Sequence, residues 1–305
     1  MKKNIVIFEP NLNIGGIEKS LINLLKKIDY DKYNIDLYLL SKGTLYNELP
    51  KEVNVVFLSK PSFYKYLPFF ILKKLIKTDK TIKYDVAIDF SAYNNTFSAY
   101  TLNSNANKKV IWIHNDYKIK YKNEFKFRVL FNLSKSKYKN FDEIVAVSEG
   151  VKESFKELTG LTAKKVIPNY INTDEILKKS EEKVDFHVDD DNINFCFLGR
   201  LVYQKGLDLF DNITFLGAKK NPFPYLKKCD YLILNSRYEG QGMVALEAKS
   251  LGLKVIMPER LNKYLNIDYI DINDLKGVRK FKKKTDKLED YNSNITEKIN
   301  KLLGE

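Results

Sequence analysis

The feature that most constrains this chain is the alternation of short apolar runs with helical patterns along its 305 residues. The first run, residues 4–8, leads through a glycine-containing turn into residues 17–28, whose apolar side chains recur at helical spacing. Such alternation is typical of a parallel sheet covered by helices. We therefore predict an α/β protein built from doubly wound, Rossmann-like domains.

The alternation occurs twice, which predicts two domains. The first covers residues 1–172, and the second covers residues 193–305 and ends in a helical tail. A polar, acidic interval at 173–192 without periodicity indicates a linker. Two such halves face a cleft at the carboxyl ends of their strands, where sheets of this kind bind ligands. The predicted strands are residues 4–8, 34–40, 53–58, 86–90, 109–114, 143–147, 193–198, 212–216, 231–235 and 254–257.

Cysteine usage and the first residues favour a cytoplasmic protein. With only 2 cysteines in the chain, a disulfide framework is not expected. The N-terminal residues lack the apolar core and cleavage site of a secretion signal, and no apolar stretch is long enough to span a bilayer.

The net charge of +13 is concentrated in the first half of the chain. Residues 1–150 hold 25 Lys and Arg against 15 Asp and Glu, and the remainder holds 27 against 24. The excess indicates a phospholipid surface, a phosphorylated substrate or nucleic acid as partner, or a solvated lysine-rich surface. We predict no nucleic acid, because no base-reading motif is present. Residues 60–77 mix lysines with bulky apolar side chains, which fits an anionic membrane surface or a helix packed on its own sheet.

The stretch 236–248 holds two carboxylates around a glycine turn. A predicted strand precedes it and a predicted helix begins near Met243, so Gly242 lies in a turn at the carboxyl end of the second sheet. The N–H groups and positive dipole end of such a helix suit a phosphate or diphosphate. Glu239 and Glu247 are eight residues apart, about 12 Å along a helix, which is too far to share one proton.

Taken together, these motifs resemble glycosyltransferase family 4, the retaining group with the GT-B fold. The resemblance covers most of residues 1–260 and rests on an ensemble of short motifs in the family's order. In chain order they are Gly15-Gly16, residues 112–115, 147–150, 168–169, 197–206 and 212–217, and the two glutamates with seven residues between them.

The resemblance implies a donor site in the second domain. Arg200 and Lys205 would neutralise the diphosphate of a nucleotide-sugar donor, the former as a planar fork and the latter as a point charge. Glu247 would hold the ribose hydroxyls, and Glu239 would lie beside the donor sugar as a catalytic residue. The phosphate cradle would be completed by Gly242, Met243 and Val244. The structural alternative is an ordinary solvated loop for Arg200 and Lys205, with a helix-start acid and a surface acid for Glu239 and Glu247.

In the first domain, the resemblance implies that His114 is a catalytic residue that contacts the transferring sugar, with Asp116 nearby. Gly15 and Gly16 would let the first helix approach the donor phosphates or the acceptor, although such a pair is equally a helix-entry turn. His187 lies in the predicted linker and carries no such expectation.

No metal and no cofactor beyond the nucleotide-sugar co-substrate is predicted. The acidic triplet 189–191 could hold a divalent ion, but it precedes its strand and therefore lies at the wrong end of the sheet. Arg200 and Lys205 already supply positive charge for a diphosphate.

The function implied by the resemblance is transfer of a sugar to an acceptor hydroxyl with retention of configuration. The acceptor would be a glycan or lipid-linked glycan, as in surface polysaccharide or capsule assembly at the cytosolic face of a membrane. One departure stands out: after residue 210 the chain goes directly to the strand at 212–216, where the family has a longer helix, a further strand and another helix. We predict that 212–216 pairs beside 193–198, that the shortened second domain is less stable than the first, and that donor affinity is weak. The alternative function is a catalytically impaired binding or partner subunit.

Overall fold

The structure is a computed structural model that describes residues 2–59, 64, 67–207 and 213–304. The chain divides into two compact units. Unit 1 comprises Met1–Tyr170 with Asn294–Glu305, and unit 2 comprises Ile171–Ser293. This division differs from the predicted boundaries, because part of the predicted linker 173–192 belongs to unit 2 as a helix and the end of the predicted tail belongs to unit 1.

Unit 1 is built on a seven-stranded parallel sheet in the order β3-β2-β1-β4-β5-β6-β7. The order reverses between β1 and β4, which is the point where doubly wound sheets bind ligands. The strands are β1 Lys3–Phe8, β2 Tyr33–Leu39, β3 Asn54–Phe57, β4 Tyr84–Asp89, β5 Ala106–Ile113, β6 Glu143–Ala146 and β7 Lys165–Val166.

Two helices of unit 1 begin at side chains that cap their first N–H groups. The Asn94 side chain accepts a hydrogen bond from the Thr96 N–H at the start of one helix, and Ser148 caps another in the same way. Gly160, with φ 73°, ends the latter. The helices are α1 Gly16–Leu25, α2 Phe69–Leu75, α3 Asn95–Asn103, α4 Lys118–Asn123, α5 Phe125–Ser134 and α6 Glu149–Thr159.

Unit 2 repeats the design with a four-stranded parallel sheet in the order β11-β10-β9-β8. Its strands are β8 Phe195–Cys196, β9 Tyr231–Ile233, β10 Lys254–Met257 and β11 Ile270–Asp271. The remaining helices are α7 Thr173–Ser180, α8 Phe223–Lys228, α9 Met243–Ser250, α10 Asn262–Leu265 and α11 Glu289–Leu303. The first residues of α11 belong to unit 2 and the rest to unit 1.

The predicted strand at 212–216 is wrong over its described residues, 213–216, which form no strand; Asn212 lies outside the part of the chain that the structure describes. The side chains of Phe215 and Leu216 are 64% and 38% exposed, so this segment has no buried face that would align it on the sheet. The neighbouring strand is also shorter than predicted, since only residues 195 and 196 of 193–198 pair, and they pair with β9.

Candidate functional site

The turn between β9 and α9 has the geometry of an anion-binding helix start. Gly242 precedes α9 with φ 66°, a conformation that favours glycine. A Cβ at this position would lie 3.1 Å from the Leu265 side chain, so packing as well as backbone conformation selects glycine. Because the first N–H groups of a helix lack intrahelical acceptors, those of Met243 and Val244 are suited to phosphate oxygens.

Lys205 and Glu239 form an ion pair in which Lys205 Nζ lies 2.7 Å from Glu239 Oε1. The two side chains are only 16% and 7% exposed, so their attraction is less screened than that of a surface pair. Lys205 comes from the loop after β8, and Glu239 comes from the loop after β9. The structure therefore brings together two residues that the sequence assigned to different parts of a donor.

Hydrogen bonds fix the same two loops to each other at three more points. The Arg237 N–H donates to the Gln204 carbonyl at 2.7 Å, and Gln204 Nε2 donates to the Tyr238 carbonyl at 3.0 Å. The Arg237 guanidinium lies 3.8 Å from the centre of the Tyr203 ring and donates to the Tyr203 carbonyl at 2.5 Å. These contacts orient the backbone on both sides of the ion pair. No pattern in the sequence indicates Gln204 or Arg237 as site residues.

Arg200 and Glu247 are placed differently from this pair. Arg200 is exposed, and its side chain makes no hydrogen bond or ion pair with any residue in the described ranges. Glu247 is half-buried in the second turn of α9. Arg200 therefore presents a guanidinium to solvent, whereas Lys205 is held against a carboxylate.

In unit 1, Gly15 and Gly16 start α1 after the loop that follows β1. Gly16 is exposed, and a Cβ placed on it would meet nothing within 4 Å. A Cβ on Gly15 would lie 2.2 Å from Glu18 Oε2, because the Glu18 side chain folds over this glycine. The helix start is therefore open at Gly16 and covered at Gly15.

His114 directly follows β5 and is buried, with its ring centre 4.6 Å from that of Phe90 and 6.1 Å from that of Trp112. Neither ring nitrogen has a well-formed hydrogen bond within the described parts of the chain. Burial lowers the pKa of His114 to about 3, and the Phe90 backbone opposes this shift only in part. The imidazole is therefore neutral near pH 7.

Two further buried carboxyl groups lie at the carboxyl edge of the first sheet. Glu9 follows β1 and is fully buried, and its carboxylate has no hydrogen-bond partner of good geometry among the residues described. Burial, together with the charges of Glu18 and Asp89, raises the pKa of Glu9 well above its ordinary value. Asp89 ends β4, and burial raises its pKa as well.

The buried cation near these carboxyl groups is Lys137. Its Nζ donates to the Ala92 carbonyl at 2.6 Å and to Asn95 Oδ1 at 3.2 Å, and burial lowers its pKa to about 8. Ala92 has φ 58°, a left-handed conformation that is strained for alanine, and its N–H donates to Asp89 Oδ1. Clusters of perturbed ionisable groups mark candidate functional sites. An acidic residue at the end of an apolar run, as at Glu9 and Asp89, is the sequence signal that could have found them.

Asp116 and the acidic triplet serve local structure. Asp116 Oδ1 accepts hydrogen bonds from the Lys118 N–H at 2.7 Å and from Ser154 Oγ at 2.5 Å, so it orders the start of α4. In the triplet, Asp189 accepts a hydrogen bond from the Asp191 N–H at 3.0 Å. His187 is exposed beside Asp185.

Within the described ranges, no cluster of three or more His, Cys, Asp or Glu side chains is arranged to hold a metal ion. No helix in the same ranges is long and apolar enough to cross a membrane.

Comparison with known proteins identifies the class of this fold and site. Residues 14–175 match the model of Glycosyltransferase Family 4, and residues 166–263 match that of Glycosyl transferases group 1. The chain belongs to glycosyltransferase family 4. It is 26% identical to an uncharacterized glycosyltransferase of Methanocaldococcus jannaschii, over 81% of this chain and 74% of that protein.

Solved structures agree with the fold. HepE of Anabaena, in complex with UDP and glucose, has a TM-score of 0.56 at 16% identity, over 84% of this chain and 81% of its own. A glycosyltransferase of Rickettsia africae has a TM-score of 0.57 at 18% identity, over 85% and 79%. The predicted class, an α/β protein of the GT-B type with two Rossmann-like domains, is confirmed.

Proposed function

We propose that this chain transfers a sugar from a nucleotide-sugar donor to an acceptor hydroxyl with retention of configuration, and that unit 2 binds the donor. The observation that carries the proposal is the Lys205–Glu239 ion pair, which joins the loops after β8 and β9 beside the start of α9. Donor diphosphates carry negative charge next to a neutral, hydroxyl-rich sugar, so their site needs both cations and a hydrogen-bond acceptor.

The donor diphosphate would be bound by three groups of unit 2. The N-terminus of α9 offers N–H donors at Met243 and Val244, directly after the glycine that begins the turn into this helix. Lys205 adds a positioned charge, and the exposed Arg200 adds a planar pair of donors. Glu247, in the second turn of α9, would accept hydrogen bonds from the ribose.

The ion pair gives Glu239 a defined role. Lys205 holds one oxygen of the Glu239 carboxylate at 2.7 Å, and the carboxylate oxygens can accept further hydrogen bonds from hydroxyl groups of the donor sugar. In unit 1, the neutral imidazole of His114 has one donor and one acceptor, which suit the hydroxyl groups of a sugar.

The second candidate function is an impaired binding or partner subunit. It is favoured by one observation, namely that residues 213–216 add no strand to the second sheet, so this sheet is small for a nucleotide-binding unit. Weak donor affinity is expected of both an active transferase and an impaired subunit. Only the transferase turns the donor over. The acceptor, a glycan or lipid-linked glycan in surface polysaccharide assembly, is proposed from the family resemblance.

The test is to incubate the purified chain with UDP-glucose, UDP-galactose, UDP-N-acetylglucosamine and GDP-mannose, and to measure binding and release of the nucleoside diphosphate. UDP-sugars come first because HepE binds UDP and glucose. Release of the nucleoside diphosphate from one donor should be lost in Glu239→Gln. It should be kept in the control Glu259→Gln, which alters an exposed glutamate beyond β10. That result would support the proposed transferase activity. Binding without release would favour the partner subunit, and no binding to any donor would refute the donor site.

A further inference from the structure

The helix α5 turns a continuous apolar face to solvent. Phe125, Val129 and Leu133 recur every four residues along it and are 71%, 41% and 50% exposed, and Leu130 beside them is 45% exposed. Residues four apart lie on one side of a helix, so these four side chains form a single stripe, which we name the α5 face. A contiguous exposed apolar stripe of this kind marks an interaction surface.

The surroundings of the α5 face are strongly basic. Besides the buried Lys137, residues 118–140 contain seven Lys or Arg and a single acid, Glu124, whose carboxylate lies 3.9 Å from Lys120 Nζ. Lys126 is exposed within the stripe itself, and the Arg128 guanidinium lies over the Phe125 ring at 5.5 Å. The apolar stripe is therefore framed by cations that have few acidic neighbours.

Helix α2 contacts α5 and likewise exposes apolar side chains together with lysines. It packs Phe69 and Leu72 inward, while Phe70 and Leu75 are 61% and 49% exposed. Its exposed Lys73 and Lys74 lie between them in sequence. Helix α2 lies within the segment 60–77 that the sequence suggested for a membrane, of which residues 60–63, 65 and 66 are outside the described part of the chain.

The chemistry of this surface selects among possible occupants. A second copy of the chain is disfavoured, because two surfaces of the same positive sign would meet in a molecule of net charge +13. Three of the four stripe residues are aliphatic and cannot stack on nucleobases, which argues against single-stranded nucleic acid. Aliphatic and aromatic side chains beside lysines instead match the boundary between acyl chains and anionic headgroups.

We propose that the α5 face, with the lysines around it, docks unit 1 on the surface of an anionic lipid bilayer. The apolar side chains enter the headgroup boundary, and the lysines pair with anionic lipids. This inference does not depend on which donor the chain uses, because it rests on helices far in sequence from the donor loops. A lipid-linked acceptor would be reached from this position.

The experiment is flotation of the full-length chain with vesicles of phosphatidylcholine alone and of phosphatidylcholine mixed with phosphatidylglycerol. We expect binding to the mixed vesicles only, weakening as salt rises. The double variant Val129→Ser/Leu133→Ser should bind at least about ten-fold more weakly, because two apolar side chains no longer leave water. Lys126→Glu should weaken binding about five-fold or more.

Matched controls test whether binding requires the α5 face rather than any exposed apolar or positively charged side chain. Phe215→Ser removes an equally exposed aromatic from unit 2, and Lys183→Glu reverses an exposed lysine of unit 2; both should bind as the unaltered chain does. Circular dichroism checks that each variant is folded. Equal binding of all variants, equal binding to both vesicle types, or no binding to either would overturn the proposal. Concentration-dependent dimers that Leu133→Ser abolishes would identify a second copy as the occupant and also overturn it.

Discussion

Units 1 and 2 are both built on a parallel sheet with helices, and the sheet of unit 1 is the larger. The sheet of unit 1 has seven strands, of which β5 is 8 residues long, whereas the four-stranded sheet of unit 2 has no described strand longer than the 4 residues of β10. A longer, wider sheet buries more apolar surface and more backbone hydrogen bonds. Unit 1 therefore has the larger sheet around which to build a core, whereas the small sheet of unit 2 is supported by contacts from outside it.

That support comes from a basic strap, residues 279–283, which lies along the start of β9. Tyr231 donates its hydroxyl to the Arg279 carbonyl at 2.7 Å and accepts the Arg279 N–H at 3.1 Å. Lys280 Nζ lies 2.9 Å from Asp230 Oδ2, and Lys283 Nζ donates to the Cys229 carbonyl at 3.0 Å. The loops after β8 and β9 are fixed to each other in a similar way by the Lys205–Glu239 pair. Polar contacts outside the sheet therefore support unit 2 at both places.

The largest expected effect tests this difference directly. Tyr231 and Phe97 are both fully buried aromatics, one in each unit. Replacement by alanine should lower the free energy of unfolding by about 3–5 kcal/mol in either case. We expect Tyr231→Ala to unfold unit 2 while unit 1 stays folded, and Phe97→Ala to leave both folded. Limited proteolysis with mapping of the first cleavages measures this, and first cleavages inside unit 1 for Tyr231→Ala would contradict it.

A smaller effect separates the two cations that we propose for the donor site. Lys205→Met leaves a buried carboxylate without its partner, so unit 2 should lose about 1–3 kcal/mol of stability as well as donor affinity. Arg200→Ala should leave stability unchanged, because Arg200 is exposed, and weaken nucleoside diphosphate binding by about 1.5–3 kcal/mol. Urea denaturation and titration calorimetry give the two quantities. Equal stability of both variants would show that the ion pair has no structural role.

The effect that is smallest at neutral pH, and that grows as the pH falls, is confined to unit 1. His114 has its pKa lowered to about 3 in the folded chain from an ordinary 6.5, so its contribution to stability is present above pH 6.5 and is lost as the pH falls from there toward 3. His114→Phe, which keeps an aromatic ring against Phe90, should remove this part of the acid sensitivity. Urea denaturation at a series of pH values measures it. The same decline in both proteins would mean that His114 is already paired or accessible.

The sequence predicted the first sheet better than the second for a physical reason. The strands of unit 1 are apolar runs, and the six predicted ones are present with their ends shifted by at most three residues. Strands of two residues, such as β7 and β11, have too few positions to show a pattern and were missed. Helix α7 lies within the segment predicted as a linker, because its sequence is polar. In the structure, Asn172 caps this helix and Ile176 is buried.

From the sequence, the residues of the candidate site and their places at strand ends could be predicted, but their contacts with each other could not. The glycine turn before α9 and the histidine after β5 follow from local pattern, so their positions at the ends of strands are as predicted. The pairing of Lys205 with Glu239 joins residues 34 apart in the chain and depends on how two loops fold against each other. The burial of Glu9, Asp89 and Lys137 likewise depends on side chains packed from several elements. The roles of the predicted donor residues stay predictions.

Hydrogen exchange with and without a saturating nucleoside diphosphate tests most directly whether the two paired loops of unit 2 form the donor site. We expect slower exchange in residues 199–206 and 236–246, with unchanged exchange in the strands of unit 1, and loss of this protection in Lys205→Met. Arg237→Ala should keep weak protection, because the ion pair remains. Protection confined to unit 1, or equal protection in Lys205→Met and the unaltered chain, would contradict a donor site organised by the Lys205–Glu239 pair.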